Sequence, residues 1–245
     1  MATAYKKTLS WHSHGITNVG KVRKYNEDSM LERSEVGMWV VADGMGGHDG
    51  GDVASQLIVS TLNKVHEGLS LERYVDDIED GLIQVNRKLI TKAKESKKRT
   101  TIGSTVVVLV AYQHYSIFIW AGDSRIYRLR NNELRQMTTD HSQVEQYIAK
   151  GIITREEAAT HPHGNMITRA VGATPELFLD MDIQEMEKGD RFLLCSDGLT
   201  KHLNDIEFQT MLQKGTIEET CKELIDLTLS RGAGDNVTAI LVDID

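Results

Sequence analysis

The chain predicts an α+β fold built as a single domain over residues 1–245, and three observations carry that expectation. Short apolar runs rich in Val, Ile, Leu and Phe recur along the chain, each with the length of a buried strand. Longer stretches between them place apolar residues at helical spacing. Only two prolines occur, and no Ser/Gly-rich linker interrupts the 245 residues, so no composition shift marks a boundary.

The elements follow in order. Leu9–Asn18 is mixed polar and β-prone, a strand, and Ser29–Glu35 is a second short one. Met38–Ala42 is a buried strand that stops at Asp43, where a loop carrying Gly44, Gly46, Gly47, Gly50 and Gly51 begins. Amphipathic helices are predicted over about Val53–Glu67 and Leu71–Lys94, the second with a core stripe of Tyr74, Ile78, Leu82, Val85, Leu89 and Ile90. The charge run Lys92–Arg99 is a helix end and a solvated loop. Thr105–Ala111 and Ser116–Ala121 are buried strands, and Ile126–Arg130 is another, ended by an Asn131-Asn132 turn. Gln143–Ala159 reads as irregular helix broken at Gly151, and His161-Pro162-His163-Gly164-Asn165 as a solvated loop. Ile167–Gly172 leads back to the sheet, and Arg191–Ser196 is a further apolar strand. Helices over Asn204–Gln213 and Ile217–Ser230, with Asn204 and Thr216 as N-caps, precede a last strand at Val237–Val242.

Composition narrows the function classes. The formal net charge is −8, from 36 acidic and 28 basic residues, which argues against a nucleic-acid surface. Cys195 and Cys221 form neither a disulfide framework nor a CxxC pair and read as small core residues in a reducing compartment. No apolar run approaches the roughly 20 residues of a membrane span. The first residues, MATAYKKTLSWHSHG, lack the apolar region of a signal peptide, so a cytoplasmic monomer with no membrane partner is expected.

Chemistry concentrates in one recurring device. Asp43, Asp123 and Asp197 each follow an apolar strand and adjoin a glycine, and Asp235 precedes one after Gly234. A single Asp-Gly pair is an ordinary turn. The glycine-rich loop after Asp43 has no Lys or Arg and no GxxxxGK[ST], so it is not a phosphate loop of that kind. If the strands share a sheet system, their carboxylates gather at one end and repel unless some are protonated or cations bind among them. Oxygen ligands without a Cys/His cluster favour Mg2+ or Mn2+. Two such ions a few ångströms apart suit phosphoryl hydrolysis, and Arg23, just before Glu27 and Asp28, offers a guanidinium for phosphate. GxSxG is absent, and Cys195 lies inside an apolar run, so no serine or cysteine nucleophile competes.

With these segments in hand, the chain resembles the bacterial metal-dependent Ser/Thr protein phosphatases of the type 2C (PPM) family. The resemblance runs almost end to end through Gly20–Asp28 (GxxRxxNED), Val41–Gly47 (VADGMGG), Ala121–Tyr127 (AGDSRIY), Thr138–Ser142 (TTDHS), Ile167–Gly172 (ITRAVG), Cys195–Thr200 (CSDGLT) and Gly234–Val242 (GDNVTAILV). It implies a four-layer α-β-β-α sandwich, two antiparallel sheets flanked by helices, with two Mn2+ or Mg2+ ions in a cleft at the sheet ends. Residue by residue, Asp43 resembles the carboxylate bridging both ions, and Gly44 the position whose carbonyl binds one of them. Asp197 and Asp235 match ligands of the other ion. Glu27 and Asp28 match the acidic pair that ligates directly or through water, Arg23 the phosphate-binding arginine, and Asp123 the ligand of a third, weaker ion. Asn236 would order the Asp235 loop, and the segment from about Gln143 to Asn165 matches the variable flap.

The implied activity is hydrolysis of phosphoserine and phosphothreonine in proteins by a metal-bridging hydroxide, with a Ser/Thr kinase and its substrates as partners. The alternative is a catalytically silent phosphoprotein-binding or sensor domain on the same fold. One position departs from animal relatives: Met45 stands where they carry a histidine proposed as general acid. A thioether cannot donate a proton, and His48 and His141 are the nearby substitutes in sequence.

Overall fold

The computed structural model describes residues 9–46, 50–68, 70–95, 101–158, 161–164 and 166–245. Gly47 and His48 of the glycine-rich loop, the end of the Lys92–Arg99 run, and Ala159 and Asn165 lie outside them.

One sheet is assembled from β1 (Trp11–Asn18), β7 (Arg125–Arg130), β8 (Glu133–Gln136), β10 (Arg191–Cys195) and β11 (Val237–Ile244), in the order β1-β11-β10-β7-β8. The other contains β2 (Asp28–Arg33), β3 (Met38–Met45), β5 (Val106–Tyr112), β6 (Tyr115–Ala121) and β9 (Asp180–Glu185), in the order β2-β3-β5-β6-β9, with the two-residue β4 (Gly103–Ser104) on β3. Every pairing is antiparallel.

The sheets face each other through Trp39, Val41, Val107 and Phe118 from one and Phe192, Leu194, Ile240 and Val242 from the other. The alternate residues of the same strands point outward. Met38, Val40 and Ala42 pack under α1 (Gly51–Leu62) and α2 (Leu71–Glu95). Leu193, Cys195, Ala239 and Leu241 pack under α5 (Asp197–Thr200), α6 (Asp205–Leu212) and α7 (Ile217–Ser230). Burial on both faces explains why these strands are continuous apolar runs and not alternating ones. The result is the expected helix-sheet-sheet-helix layering. Both cysteines are buried and unpaired in the second outer core, and burial pushes each thiol up to about 12.

Local sequence accounts for several boundaries. Asn204 and Thr216 each cap their helix through a complete capping box, with Glu207 and Glu219 returning to the cap N–H. Asn131 and Asn132 both take positive φ, 51° and 64°, which a two-residue hairpin turn requires. Gly151, at φ 66°, follows the end of α3 (Gln143–Ala149), and α4 (Arg155–Ala158) continues the flap segment.

Two expectations change. The strand does not stop at Asp43, because Gly44 and Met45 pair with Ser104 and Gly103 of β4. The edge strands β8 and β9 have no buried apolar run to announce them. In β9 the side chains of Met181 and Ile183 are half exposed, between Asp180, Asp182 and Gln184.

Candidate active site

The pairing of β2 with β3 sets Asp28 directly opposite Asp43, so the two side chains share one face at the end of that ladder. Asp43 is held by its backbone. Its N–H donates to Thr105 Oγ1 at 3.1 Å, and its carbonyl accepts from Thr105 N–H at 2.8 Å and Ser104 Oγ at 2.9 Å. Asp28 is buried, and its Oδ2 accepts from Ser196 Oγ at 2.8 Å and Thr238 Oγ1 at 2.7 Å. Thr238 belongs to β11 of the other sheet and Ser196 directly follows its β10, so one carboxylate ties both sheets together at the site. Burial raises the Asp28 carboxyl to about 6 against the pull of those two hydrogen bonds. Burial, then the neighbouring Asp28, Asp197, Asp123 and Asp235, hold the Asp43 carboxyl well above the ordinary range.

Asp197 opens α5, and Asp235 lies just before β11. They are brought side by side because Gly198 touches the Asn236 backbone: a Cβ at Gly198 would stand 1.9 Å from the Asn236 carbonyl oxygen. Two cations occupy this pair. Lys201 Nζ lies 2.6 Å from Asp197 Oδ2 and 3.2 Å from Asp235 Oδ2. Arg23 grips Asp235 through two contacts, Nε to Oδ1 at 2.9 Å and Nη2 to Oδ2 at 3.1 Å. Burial favours the neutral Asp235 acid, but Lys201 and Arg23 outweigh it and lower that carboxyl below its usual range. Arg23 is therefore at the site, as the sequence predicts, but engaged with a carboxylate. Lys201, just beyond the CSDGLT segment, was not predicted. Its only sequence signal is its position four residues after Asp197 on a helical turn.

Asp123 is buried below the cleft, and burial followed by the charges of Asp197 and Asp140 raises its carboxyl to about 7. Behind it, the His141 ring is fully engaged. Nδ1 accepts from Gly122 N–H at 3.2 Å, Nε2 pairs with Asp180 Oδ2 at 3.1 Å, and the ring stacks on Trp120. Burial lowers its pKa, with Asp180 opposing. His141 thus supports the Asp123 turn and has no nitrogen free to serve as the acid considered above.

Asn236 does more than order its own loop. Its Oδ1 accepts from Glu27 N–H at 2.8 Å, and its Nδ2 donates to Val19 O at 2.9 Å and Tyr25 O at 3.0 Å. It pins the segment that carries Arg23 and Glu27. Gly44 N–H donates to Glu27 O at 3.1 Å, and a Cβ at Gly44 would be 2.1 Å from Gly51 O and 2.6 Å from Glu27 O. Only glycine allows this approach.

A cleft of about 350 Å3 adjoins the carboxylates, lined by Asp123, Asp197 and Lys201 on one side and by Glu145, Ile148 and Arg155 of the flap segment on the other. The chemistry of this donor set fits hydrated divalent cations. Among the described residues no three His, Cys, Asp or Glu side chains close into a cage. Yet one oxygen each of Asp28, Asp123 and Asp197 is buried without a partner. Mg2+ and Mn2+ bound through a few carboxylates and several waters need such free oxygens and no closed cage.

Comparison with known proteins agrees with this geometry. The protein phosphatase 2C family model matches residues 21–237. The serine/threonine phosphatase stp of Listeria monocytogenes is 34% identical over 242 residues, covering 96% of each chain. Among solved structures, PppA, a regulatory component of the type VI secretion system in Pseudomonas aeruginosa, superposes with a TM-score of 0.89 at 40% identity, covering 97% of this chain and 99% of that one. The catalytic domain of the phosphatase PstP, solved in complex with two manganese ions, superposes with a TM-score of 0.85 at 32% identity over 97% of this chain and 99% of its own. The chain belongs to the protein phosphatase 2C family and is a serine/threonine protein phosphatase of that family.

Proposed function

We propose that the protein removes phosphate from phosphoserine and phosphothreonine in proteins, using two Mn2+ or Mg2+ ions, and thereby reverses the action of a Ser/Thr kinase in the same cell. The observation that supports this reading best is the convergence of Asp43, Asp28, Asp123, Asp197 and Asp235, with unpartnered buried oxygens on three of them.

In this reading Asp43 and the Gly44 carbonyl would hold one ion, with Asp43 also serving the other alongside Asp197 and Asp235; Glu27 and Asp28 would contribute directly or through water, and Asp123 would hold a third, weaker ion. When bound, the ions supply an activated water and neutralise charge on the phosphoryl oxygens. The protein side chains position and balance charge. Arg23, already at the rim, turns from Asp235 to the substrate phosphate, whose geometry a guanidinium matches with two hydrogen bonds. Ser196 and Thr238 fix the Asp28 carboxylate, and Thr105 and Ser104 fix the Asp43 main chain, so that little reorganisation accompanies the reaction. No phosphoenzyme forms: Ser196 Oγ is committed to Asp28, and the Cys195 thiol is buried and protonated. With Met45 unable to donate and His141 engaged, the leaving alkoxide takes its proton from water in the cleft or from His48, which lies outside the described residues.

Phosphate release from a phosphothreonine peptide, assayed with Mn2+, with Mg2+ and with chelator, tests the reading. Turnover that depends on metal is expected. Metal binding without phosphate release favours the silent phosphoprotein-binding alternative.

A further inference from the structure

The position of Lys201 reaches beyond the ligand set. Its ammonium bridges carboxylates from two different elements, Asp197 at the start of α5 and Asp235 before β11, with Nζ at 2.6 and 3.2 Å. Its side chain is two-thirds buried, at 33% exposure, unlike an ordinary surface pair such as Lys222 with Asp226, where the lysine is 69% exposed. Because Lys201 is one helical turn from Asp197, its ammonium stays within reach of that carboxylate. Lys201 also lines the 350 Å3 cleft, which gives the ammonium somewhere to go when it leaves the carboxylates.

We infer that Lys201 is a built-in counter-cation for the Asp197–Asp235 pair: it keeps the two carboxylates assembled in the metal-free protein and competes with the divalent ion that binds between them. This rests on the assignment of Asp197 and Asp235 as ligands of one ion. Metal entry at that position is then an exchange of one cation for another and is weaker than the carboxylates alone would give. Arg23 makes a second contact with Asp235, whereas among the described residues Lys201 alone touches both acids. The same competition makes occupancy of this position responsive to metal concentration while Asp43 and Asp28 hold the remainder of the site.

Calorimetric titration of Mn2+ into the metal-free protein tests the inference, using wild type, Lys201→Met, Lys201→Gln, Lys201→Arg and Asp197→Asn. Lys201→Met and Lys201→Gln are expected to tighten one Mn2+ site by about tenfold and leave the other unchanged, the size a partly buried like charge imposes. Lys201→Arg, which keeps the charge, is expected to stay within about threefold of wild type. Melting of the metal-free Met variant is expected below that of wild type, with the difference removed by saturating Mn2+. Unchanged or weakened Mn2+ binding in both neutral variants overturns the role of Lys201. Wild-type Mn2+ binding at both sites in Asp197→Asn overturns the ligand assignment itself, independently of Lys201.

Discussion

Asp28 and Asp43 stand opposite each other across the β2–β3 ladder, one hydrogen-bonded to Ser196 and to Thr238 of the other sheet and one held through its main chain by Thr105, between β4 and β5. The fold thus sets two carboxylates on one face with only part of their charge compensated by protein.

This arrangement predicts a pH dependence. The Asp28 and Asp123 carboxyls lie at about 6 and 7, and Asp43 is also raised, whereas in an unfolded chain an Asp sits near ~3.9. The folded metal-free protein therefore keeps protons that the unfolded chain gives up, and that contribution to stability is lost as pH rises from about 4 through about 7. Metal binding needs the ionised forms and releases those protons. With chelator present, melting at pH 8 is expected below that at pH 5.5, and the gain on adding Mn2+ is expected to be larger at pH 8. An equal gain at both values would contradict the assignment.

Ser196 and Thr238 are predicted to act through Asp28. Replacing both by Ala and Val leaves Asp28 Oδ2 without its hydroxyl donors. Loss of such supporting contacts typically costs about 10- to 100-fold in metal affinity or activity. A comparable drop in Mn2+ affinity with the fold retained is expected from titration of the double variant, and wild-type affinity would remove the role.

Asn236 fastens the Arg23 segment. Asn236→Leu removes the partner of the Glu27 N–H and of the carbonyls of Val19 and Tyr25, part-buried hydrogen bonds worth about 0.5–1.5 kcal/mol each. Denaturant unfolding is expected to show a loss in that range or above. Asn236→Asp keeps the acceptor for Glu27 and is expected to lose less.

Arg23 spends the substrate-free state on Asp235. Arg23→Ala is expected to raise KM more than it lowers kcat, since the guanidinium mainly binds ground-state phosphate. An unchanged KM in steady-state kinetics would contradict that role.

Much of this site was legible in the sequence for a physical reason. Asp43, Asp123, Asp197 and Asp235 interrupt or border runs that are apolar because both faces of their strands are buried, and a charge there stands out. The capping boxes at Asn204 and Thr216 are equally local signals. What escaped is what only tertiary packing creates. Lys201 looks like a surface lysine until Gly198 brings α5 against Asn236, and Asn236 reaches across to Val19 and Tyr25, 217 and 211 residues away. The edge strands β8 and β9 were missed because an edge strand half exposed to water needs no apolar run. By sequence His141 is a candidate acid, but in the fold its two nitrogens are bonded to Gly122 and Asp180.

The most direct test of the account is phosphate release from a phosphothreonine peptide by wild type and Asp43→Asn at saturating Mn2+, with folding checked by circular dichroism. Asp43 faces Asp28, and burial followed by Asp28, Asp197, Asp123 and Asp235 raises its carboxyl, so a folded Asp43→Asn protein is expected to lose turnover by about a thousandfold or more. Turnover within about tenfold of wild type would contradict it.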